Sequence, residues 1–276
     1  MAENETNKKF NEAVDKFKQA TARQEQAFNT FENYVGGAMN ANGVLLSIEG
    51  TSRYLKVRSG QPANQAVLLN ETLSHHAINP RVIVDIGANF GEISLFLAKR
   101  YPSARVVAVE PSPENTAILE KNINAQPFPV ENVEIFRAAL KDQDGQALIS
   151  QGMGSENSII NVDRGLLVPA MTLRSLLTLL KVETVDFMKI DIEGAEPLLT
   201  KDLTAVDFKV MSLFIEFSPK NTVEAYLALL ARLAERYKIF SINDQPLELN
   251  EAKALLFEAH SRRKVLDFWF FDPAFA

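Results

Sequence analysis

The chain has no cysteine among its 276 residues, which excludes disulfides, thiolate metal sites and cysteine nucleophiles. One tryptophan and three histidines leave few candidates for a sugar-stacking platform or for imidazole chemistry. Basic residues are outnumbered: 29 Lys and Arg against 35 Asp and Glu give a formal net charge of -6. That balance argues against a nucleic-acid partner held mainly through phosphates, and Arg262-Arg263-Lys264 is too short a run to reverse it. No apolar run approaches the length of a membrane span, and Met1-Ala-Glu-Asn-Glu5 is too polar for a secretory signal. These absences predict a cytoplasmic protein with no membrane span. What is present, 46% hydrophobic and 23% charged residues, is an ordinary globular composition with enough length for a full-sized core.

Three segments are expected. Residues 1–36 read as a helical arm, because 4–35 contain neither Pro nor Gly before Gly36-Gly37 ends the run. Phe10, Ala13, Phe17, Ala20, Ala27, Phe31 and Tyr34 form a heptad-like seam interrupted by Gln24. Such a seam suits a helix laid on the following domain, or a homodimerisation arm in which Gln24 sets the register. Residues 37–80 are a lead-in segment with short strands at 44–48 and 54–57 and a helix at about 63–75.

From 81 to 276 apolar, β-branched runs alternate with helical patterns. Strands are expected at 81–87, 105–110, 133–139, 185–192, 210–217, 238–242 and 264–271. Helices are expected at 92–100, 114–124, 173–180, 195–201, 222–236 and 251–259. Strands this apolar, separated by helices, belong to a parallel sheet covered on both faces. Residues 147–170 break the rhythm and predict an inserted hairpin or flap, whose Gly152-Met-Gly154-Ser155-Glu-Asn157-Ser158 suits a mobile lid.

The strongest local signal is Asp85-Ile-Gly87-Ala88-Asn89-Phe90-Gly91-Glu92, after the first parallel strand and at a helix start. Dinucleotide binding needs G-x-G-x-x-G, and this chain has G-x-N-x-G. A tight turn of this kind admits the methionine part of S-adenosylmethionine, with the helix N-terminus facing its carboxylate and Asp85 receiving its amino group. About 20 residues beyond the glycine loop, Glu110 ends the second strand, placed to accept hydrogen bonds from ribose hydroxyls. Pro111 and Pro113 stop that strand and start the next helix, with Ser112 as its N-cap. Ala138 and Ala139, ending the third strand, leave room for an adenine ring.

With these blocks in place, the chain resembles the FkbM-type family of S-adenosylmethionine-dependent methyltransferases. The resemblance rests on Val84-Asp-Ile-Gly-Ala-Asn-Phe-Gly-Glu92, Val109-Glu-Pro-Ser-Pro-Glu-Asn115, Ala138-Ala-Leu140 and Met171-Thr-Leu173. Its most specific block is Val185-Asp-Phe-Met-Lys-Ile-Asp-Ile-Glu-Gly-Ala-Glu196, followed by Leu213-Phe-Ile-Glu-Phe217. The match covers 81–219, and it departs from the family at Arg174, where an aspartate is common. The resemblance implies a class I methyltransferase fold: α/β, Rossmann-like, seven mostly parallel strands with the last antiparallel beside the fifth. It also implies methyl transfer to an oxygen of a sugar or natural-product acceptor.

Asp191, Glu193 and Glu196 follow the fourth strand, at the edge that faces the cofactor cleft in a doubly wound sheet. Alternation along an extended segment sends Asp191 and Glu193 to opposite sides, so Asp191 is expected in the cleft, touching both cofactor and acceptor, with Glu216 beside it. This pair is expected to act as a general base, to hold the acceptor, or to bind Mg²⁺ through oxygen ligands. Lys189 and Glu196 are expected to stitch helices to the sheet through ion pairs. His76, beside His75, is a further candidate base, with a surface turn as its simpler reading. The lone Trp269 is expected in the core. The competing functions are an NAD-dependent sugar-modifying enzyme, which lacks its glycine pattern and a Tyr-x-x-x-Lys pair, and a non-catalytic dimeric scaffold.

Overall fold

The apolar runs become the buried strands of one large sheet. The computed structural model describes residues 64–275, less 125, 127–128, 151–158, 160–162, 206, 208 and 220–222. The predicted arm at 1–36, the short strands at 44–48 and 54–57, and the glycine-rich segment 152–158 of the lid therefore lie outside the described residues.

In chain order the elements are α1 (Asn64–His75), β1 (Val82–Ile86), α2 (Glu92–Arg100), β2 (Arg105–Val109), α3 (Pro113–Asn124) and β3 (Val133–Phe136). A smaller group follows: β4 (Ala139–Leu140), β5 (Gly145–Ile149), β6 (Leu166–Met171) and α4 (Leu173–Leu180). The second half contains β7 (Thr184–Ile190), a 3₁₀ turn (Glu196–Leu199), α5 (Thr200–Leu203), β8 (Lys209–Phe217) and α6 (Glu224–Ala234). It closes with β9 (Lys238–Ser241), β10 (Pro246–Leu247), α7 (Leu249–Ser261) and β11 (Leu266–Phe271).

The main sheet runs in the order β10-β9-β11-β8-β7-β1-β2-β3. Pairings among β3, β2, β1, β7 and β8 are parallel, and β11 inserts antiparallel between β8 and β9. The seven expected strands are all present. An eighth, the two-residue β10, forms because the chain doubles back after Ser241 and pairs Pro246 with Phe240.

Alternation divides the sheet's side chains between two faces. One face carries Val84, Ile86, Met188, Ile190, Leu213, Ile215, Phe217, Phe268 and Phe270, packed against leucines of α4, α6 and α7. α2 and α3 cover the other face: Ser94 reaches Asp85, and Leu119 packs on Ala88 and Ala108. α1 packs on α2, where Asn70 accepts hydrogen bonds from Arg100 and Tyr101. Trp269 is fully buried there between Phe187 and Phe214.

Two boundaries differ from expectation in ways that shape the site. The third strand stops at Phe136, because Ala139 and Leu140 leave the main sheet to pair with Ala170 and Met171 of β6. The fourth parallel strand, β7, stops at Ile190 instead of 192, because Glu193 and Gly194 take φ of 53° and 108°. The predicted flap has a hairpin stem, with β5 and β6 antiparallel from Gly145 opposite Ala170 to Ile149 opposite Leu166.

Candidate active site

The parallel strands β1, β2, β7 and β8 open toward one edge, and the predicted site residues other than His76 gather along it. After Ile86 the chain turns through Gly87, Ala88, Asn89, Phe90 and Gly91, with positive φ at Gly87, Asn89 and Gly91. The N–H groups of Gly87 and Ala88 both donate to the Val109 carbonyl, at 2.9 and 3.0 Å, which locks the turn to the end of β2. The Phe90 carbonyl accepts from Asn122 of α3 at 2.8 Å. Gly91 caps α2 in the left-handed region, where a Cβ would lie 2.1 Å from Leu119.

Asp85 lies beneath this turn, fully buried. Its Oδ2 accepts from Ser94 Oγ at 2.6 Å, whereas its Oδ1 has no hydrogen-bond partner and sits 3.7 Å from Lys189 Nζ. A buried carboxylate oxygen without a hydrogen-bond donor costs free energy, which the nearby Lys189 ammonium offsets in part.

Glu110 is also buried, and burial raises its pKa against the pull of its hydrogen bonds. Its Oε2 accepts from Asn89 N at 2.9 Å, and its Oε1 from Ser112 N at 2.9 Å and Asn115 Nδ2 at 3.2 Å. Three of the carboxylate's roughly four acceptor positions are thus filled, leaving capacity for one more donor on Oε2. Glu110 therefore also braces the glycine turn, a task its position in the sequence did not reveal. Pro111 is half-buried, and Ser112 Oγ accepts from Asn115 N at 3.3 Å, in keeping with an N-cap. Ala138 and Ala139 are buried, with Ala139 in the small sheet rather than at the end of β3.

Across the sheet, Asp85, Lys189 and Phe214 lie side by side on β1, β7 and β8. Two residues further along β8, on the same face, Glu216 stands directly opposite Asp267 of β11. Lys189 is buried, with Nζ 3.2 Å from Asp191 Oδ2. Burial alone would lower its pKa, but Asp191, Asp85 and Glu216 outweigh that and hold it as an ammonium. Lys189 thus pairs with carboxylates at the open edge and not with a helix, contrary to expectation. Among the described residues Glu196 makes no ion pair. Fully buried, it accepts from Ile192 N at 3.0 Å, Gly194 N at 3.3 Å and Tyr226 Oη at 2.5 Å. It closes the turn that carries Glu193.

That turn overturns the expected divergence of Asp191 and Glu193. The alternation rule holds for extended backbone, and Glu193 is left-handed. Ligand oxygens of Asp191, Glu193 and Glu216 consequently lie within 4.8 Å of one another. Burial, then Asp191, Asp267 and Glu193, push the Glu216 pKa up to about 9, against Lys189. Burial and Asp191 push Asp267 to about 7, again against Lys189, and its Oδ1 has no hydrogen-bond partner. Glu92, half-buried at the start of α2, is raised by burial and lowered by Lys189. The sequence reading missed Asp267; its signal was an acid inside the otherwise apolar run 266–271.

His76 is not brought to this cluster. It binds Asp244 in the turn after β9, and β11 separates β9 from β8. It lies apart from the cleft carboxylates because α1 ends over the β9 side of the sheet.

A mostly parallel sheet with an antiparallel strand beside its fifth, a glycine turn after β1 and an acid after β2 define a class I S-adenosylmethionine-dependent methyltransferase. The family model "Methyltransferase FkbM domain" matches residues 85–239, more than half of the chain, and the chain belongs to this family. It is 22% identical over 211 residues to the 2-O-methyltransferase NoeI of Sinorhizobium fredii, covering 69% of this chain and 85% of NoeI. Over 83 residues, 29% of this chain, it is 36% identical to the AMB antimetabolite synthetase AmbE of Pseudomonas aeruginosa, of which it spans 4%. A solved O-methyltransferase from Bacillus cereus in complex with SAH aligns with a TM-score of 0.45 at 12% identity, covering 87% of this chain and 91% of that one. No helix among the described residues is long and apolar enough to cross a membrane.

Proposed function

We propose that the protein methylates a hydroxyl oxygen of a small acceptor, with a saccharide or hydroxylated natural product as the favoured class. The observation that carries this reading is the carboxylate cluster of Asp191, Glu193 and Glu216 at the open edge of β7 and β8. Carboxylates accept hydrogen bonds from hydroxyl groups and, unlike amides, can also take their protons. The name of NoeI, a 2-O-methyltransferase, supports oxygen as the methylated atom.

S-adenosylmethionine, when bound, supplies a methyl group on a sulfonium that is displaced in line. On this reading the turn from Gly87 to Gly91, with Pro111 and Ser112, shapes the cofactor site, Asp85 takes the amino group and Glu110 a ribose hydroxyl. Asp191, held by the Lys189 ammonium, orients the acceptor hydroxyl, and positioning supplies much of the rate. Glu216 carries a proton at neutral pH and donates a hydrogen bond to the acceptor, while Glu193 offers a second accepting carboxylate.

A divalent cation is a second reading with its own support. Among the described residues Asp191, Asp85 and Glu216 crowd the Lys189 ammonium, and Mg²⁺ takes oxygen ligands of this kind. A cation on Asp191, Glu193 and Glu216 would replace the proton held by Glu216.

The test is to incubate the protein with methyl-labelled S-adenosylmethionine and fractionated saccharide and metabolite extracts, with and without EDTA. Label on a saccharide or metabolite oxygen supports the proposal, and label on nitrogen, on carbon or only in macromolecules overturns it. Loss of transfer in EDTA, restored by Mg²⁺, decides for the cation.

A further inference from the structure

Besides the cleft carboxylates, a second ligand-type cluster joins the end of α1 to the turn between β9 and β10. His75 is the last residue of α1, and Ala77 reverses the chain with φ of 54°. The imidazoles of His75 and His76 end 5.2 Å apart, centroid to centroid. Asp244, at φ of 58° in the β9–β10 turn, presents its carboxylate to both rings. Its Oδ1 lies 2.7 Å from His76 Nε2, and its Oδ2 contacts His75 Nδ1. One ligand atom from each residue falls within 4.8 Å of the other two.

The surroundings hold two of these ligands in place and leave the third open to solvent. His76 stacks on Phe271 at 3.9 Å and meets Phe240 edge-on at 5.1 Å, which fixes the plane of its ring. Asp244 is anchored through its own N–H to the Ser241 carbonyl at 2.9 Å, and its side chain is only 16% exposed. His75 is 74% exposed, so an ion and its water can enter from that side.

We propose that His75, through Nδ1, His76, through Nε2, and Asp244 bind a late first-row divalent metal ion, with Zn²⁺ the best match. Two neutral imidazoles and one carboxylate form a nitrogen-rich set that suits Zn²⁺, leaving water as the fourth ligand. Mg²⁺ and Ca²⁺ want oxygen throughout, which is the character of the cleft cluster and not of this one. Tetrahedral zinc with bonds of about 2.1 Å needs ligand atoms about 3.4 Å apart. The present 2.7 Å between His76 and Asp244 therefore has to open by about 0.7 Å, and His75 has room to turn. The ion would clip residues 168 apart in the chain, tying α1 to the far end of the sheet. Clips that close long loops stabilise mainly through chain entropy, so the site's role is to fix α1 and not to transfer methyl groups.

Calorimetric titration of the metal-stripped full-length protein with ZnCl₂ tests this, with the visible spectrum of a Co²⁺ titration as an independent readout. The expected result is one equivalent of Zn²⁺ bound at this cluster, tighter than about 100 μM. His75→Ala, His76→Gln and Asp244→Asn are each expected to weaken binding at least about tenfold. Zn²⁺ should raise the melting temperature of the native chain and not that of His76→Gln/Asp244→Asn, whose amides preserve local hydrogen bonding. The double variant Glu193→Gln/Glu216→Gln should keep this Zn²⁺ equivalent, which separates the cluster from the cleft. Binding weaker than about 100 μM overturns the proposal. So does Zn²⁺ affinity that His76→Gln/Asp244→Asn leaves unchanged.

Discussion

A Cβ built on Gly87 would lie 1.8 Å from the main-chain carbonyl oxygen of Asp191. The glycine turn after β1 and the turn after β7 therefore touch backbone to backbone, and Asp191 N closes the contact by donating to the Ile86 carbonyl at 3.0 Å. The glycine proposed to admit the cofactor is thus equally required to seat the proposed acceptor-orienting carboxylate.

Gly87→Ala is accordingly expected to damage both halves of the site. The clash is with backbone, which cannot rotate away, and φ of 79° adds strain for any side chain. A loss on the order of 2–4 kcal/mol in unfolding free energy is expected, together with weakened S-adenosylhomocysteine binding. Gly145→Ala, where an added Cβ meets nothing within 4 Å, should bear only the strain of its φ of 142° and cost less in the same denaturation experiment.

Glu110→Ala removes a proposed ribose contact and three internal hydrogen bonds at once. S-adenosylhomocysteine binding should weaken by about 1.5–3 kcal/mol, and the melting temperature should fall as well. Calorimetry should show no NAD binding to the native protein. Unchanged S-adenosylhomocysteine affinity in the variant would remove Glu110 from the cofactor site.

Asp191→Asn keeps the shape of the side chain and removes its charge. Transfer of label to the acceptor should fall roughly 10²-fold or more, with S-adenosylhomocysteine affinity changed only a few-fold. If the affinity falls as far as the turnover, Asp191 belongs to the cofactor contacts and not to the acceptor.

Stability should decline with rising pH above neutrality. Glu216 and Asp267 have folded pKa values pushed up, to about 9 and about 7. Folding thus favours their protonated forms, and that contribution is complete below their unfolded pKa values, near 4. It is lost as pH rises through the folded values, so the window runs from about pH 4 to about pH 9. In EDTA-containing buffer the melting temperature should fall between pH 6 and pH 9.5, and Glu216→Gln should flatten the upper part of that fall. A native profile that is flat or rises over this interval would contradict the buried acid pair.

Much of the scaffold was legible because its signals are local. Strands rich in apolar and β-branched residues, such as Arg105–Val109 and Thr184–Ile190, announce burial on both faces, and helices 92–100 and 173–180 appear with the expected limits. The Ser112 cap and the positive φ at Gly87 and Gly91 are likewise consequences of residue type within a few positions.

The composition of the acidic cleft and of the histidine cluster was decided by tertiary structure. Glu193 joins Asp191 because Glu196, braced by Tyr226 thirty residues away, holds a left-handed turn that breaks strand alternation. Asp267 faces Glu216 because β11 enters the sheet antiparallel in one register, and a one-residue slip would send it to the other face. His75 and His76 meet Asp244 only because α1 ends over β9. Periodicity and propensity act over a few residues, whereas these contacts depend on the packing of whole elements. The sequence by itself therefore determined a class I scaffold and its cofactor turn, and packing decided which acids and imidazoles share a site.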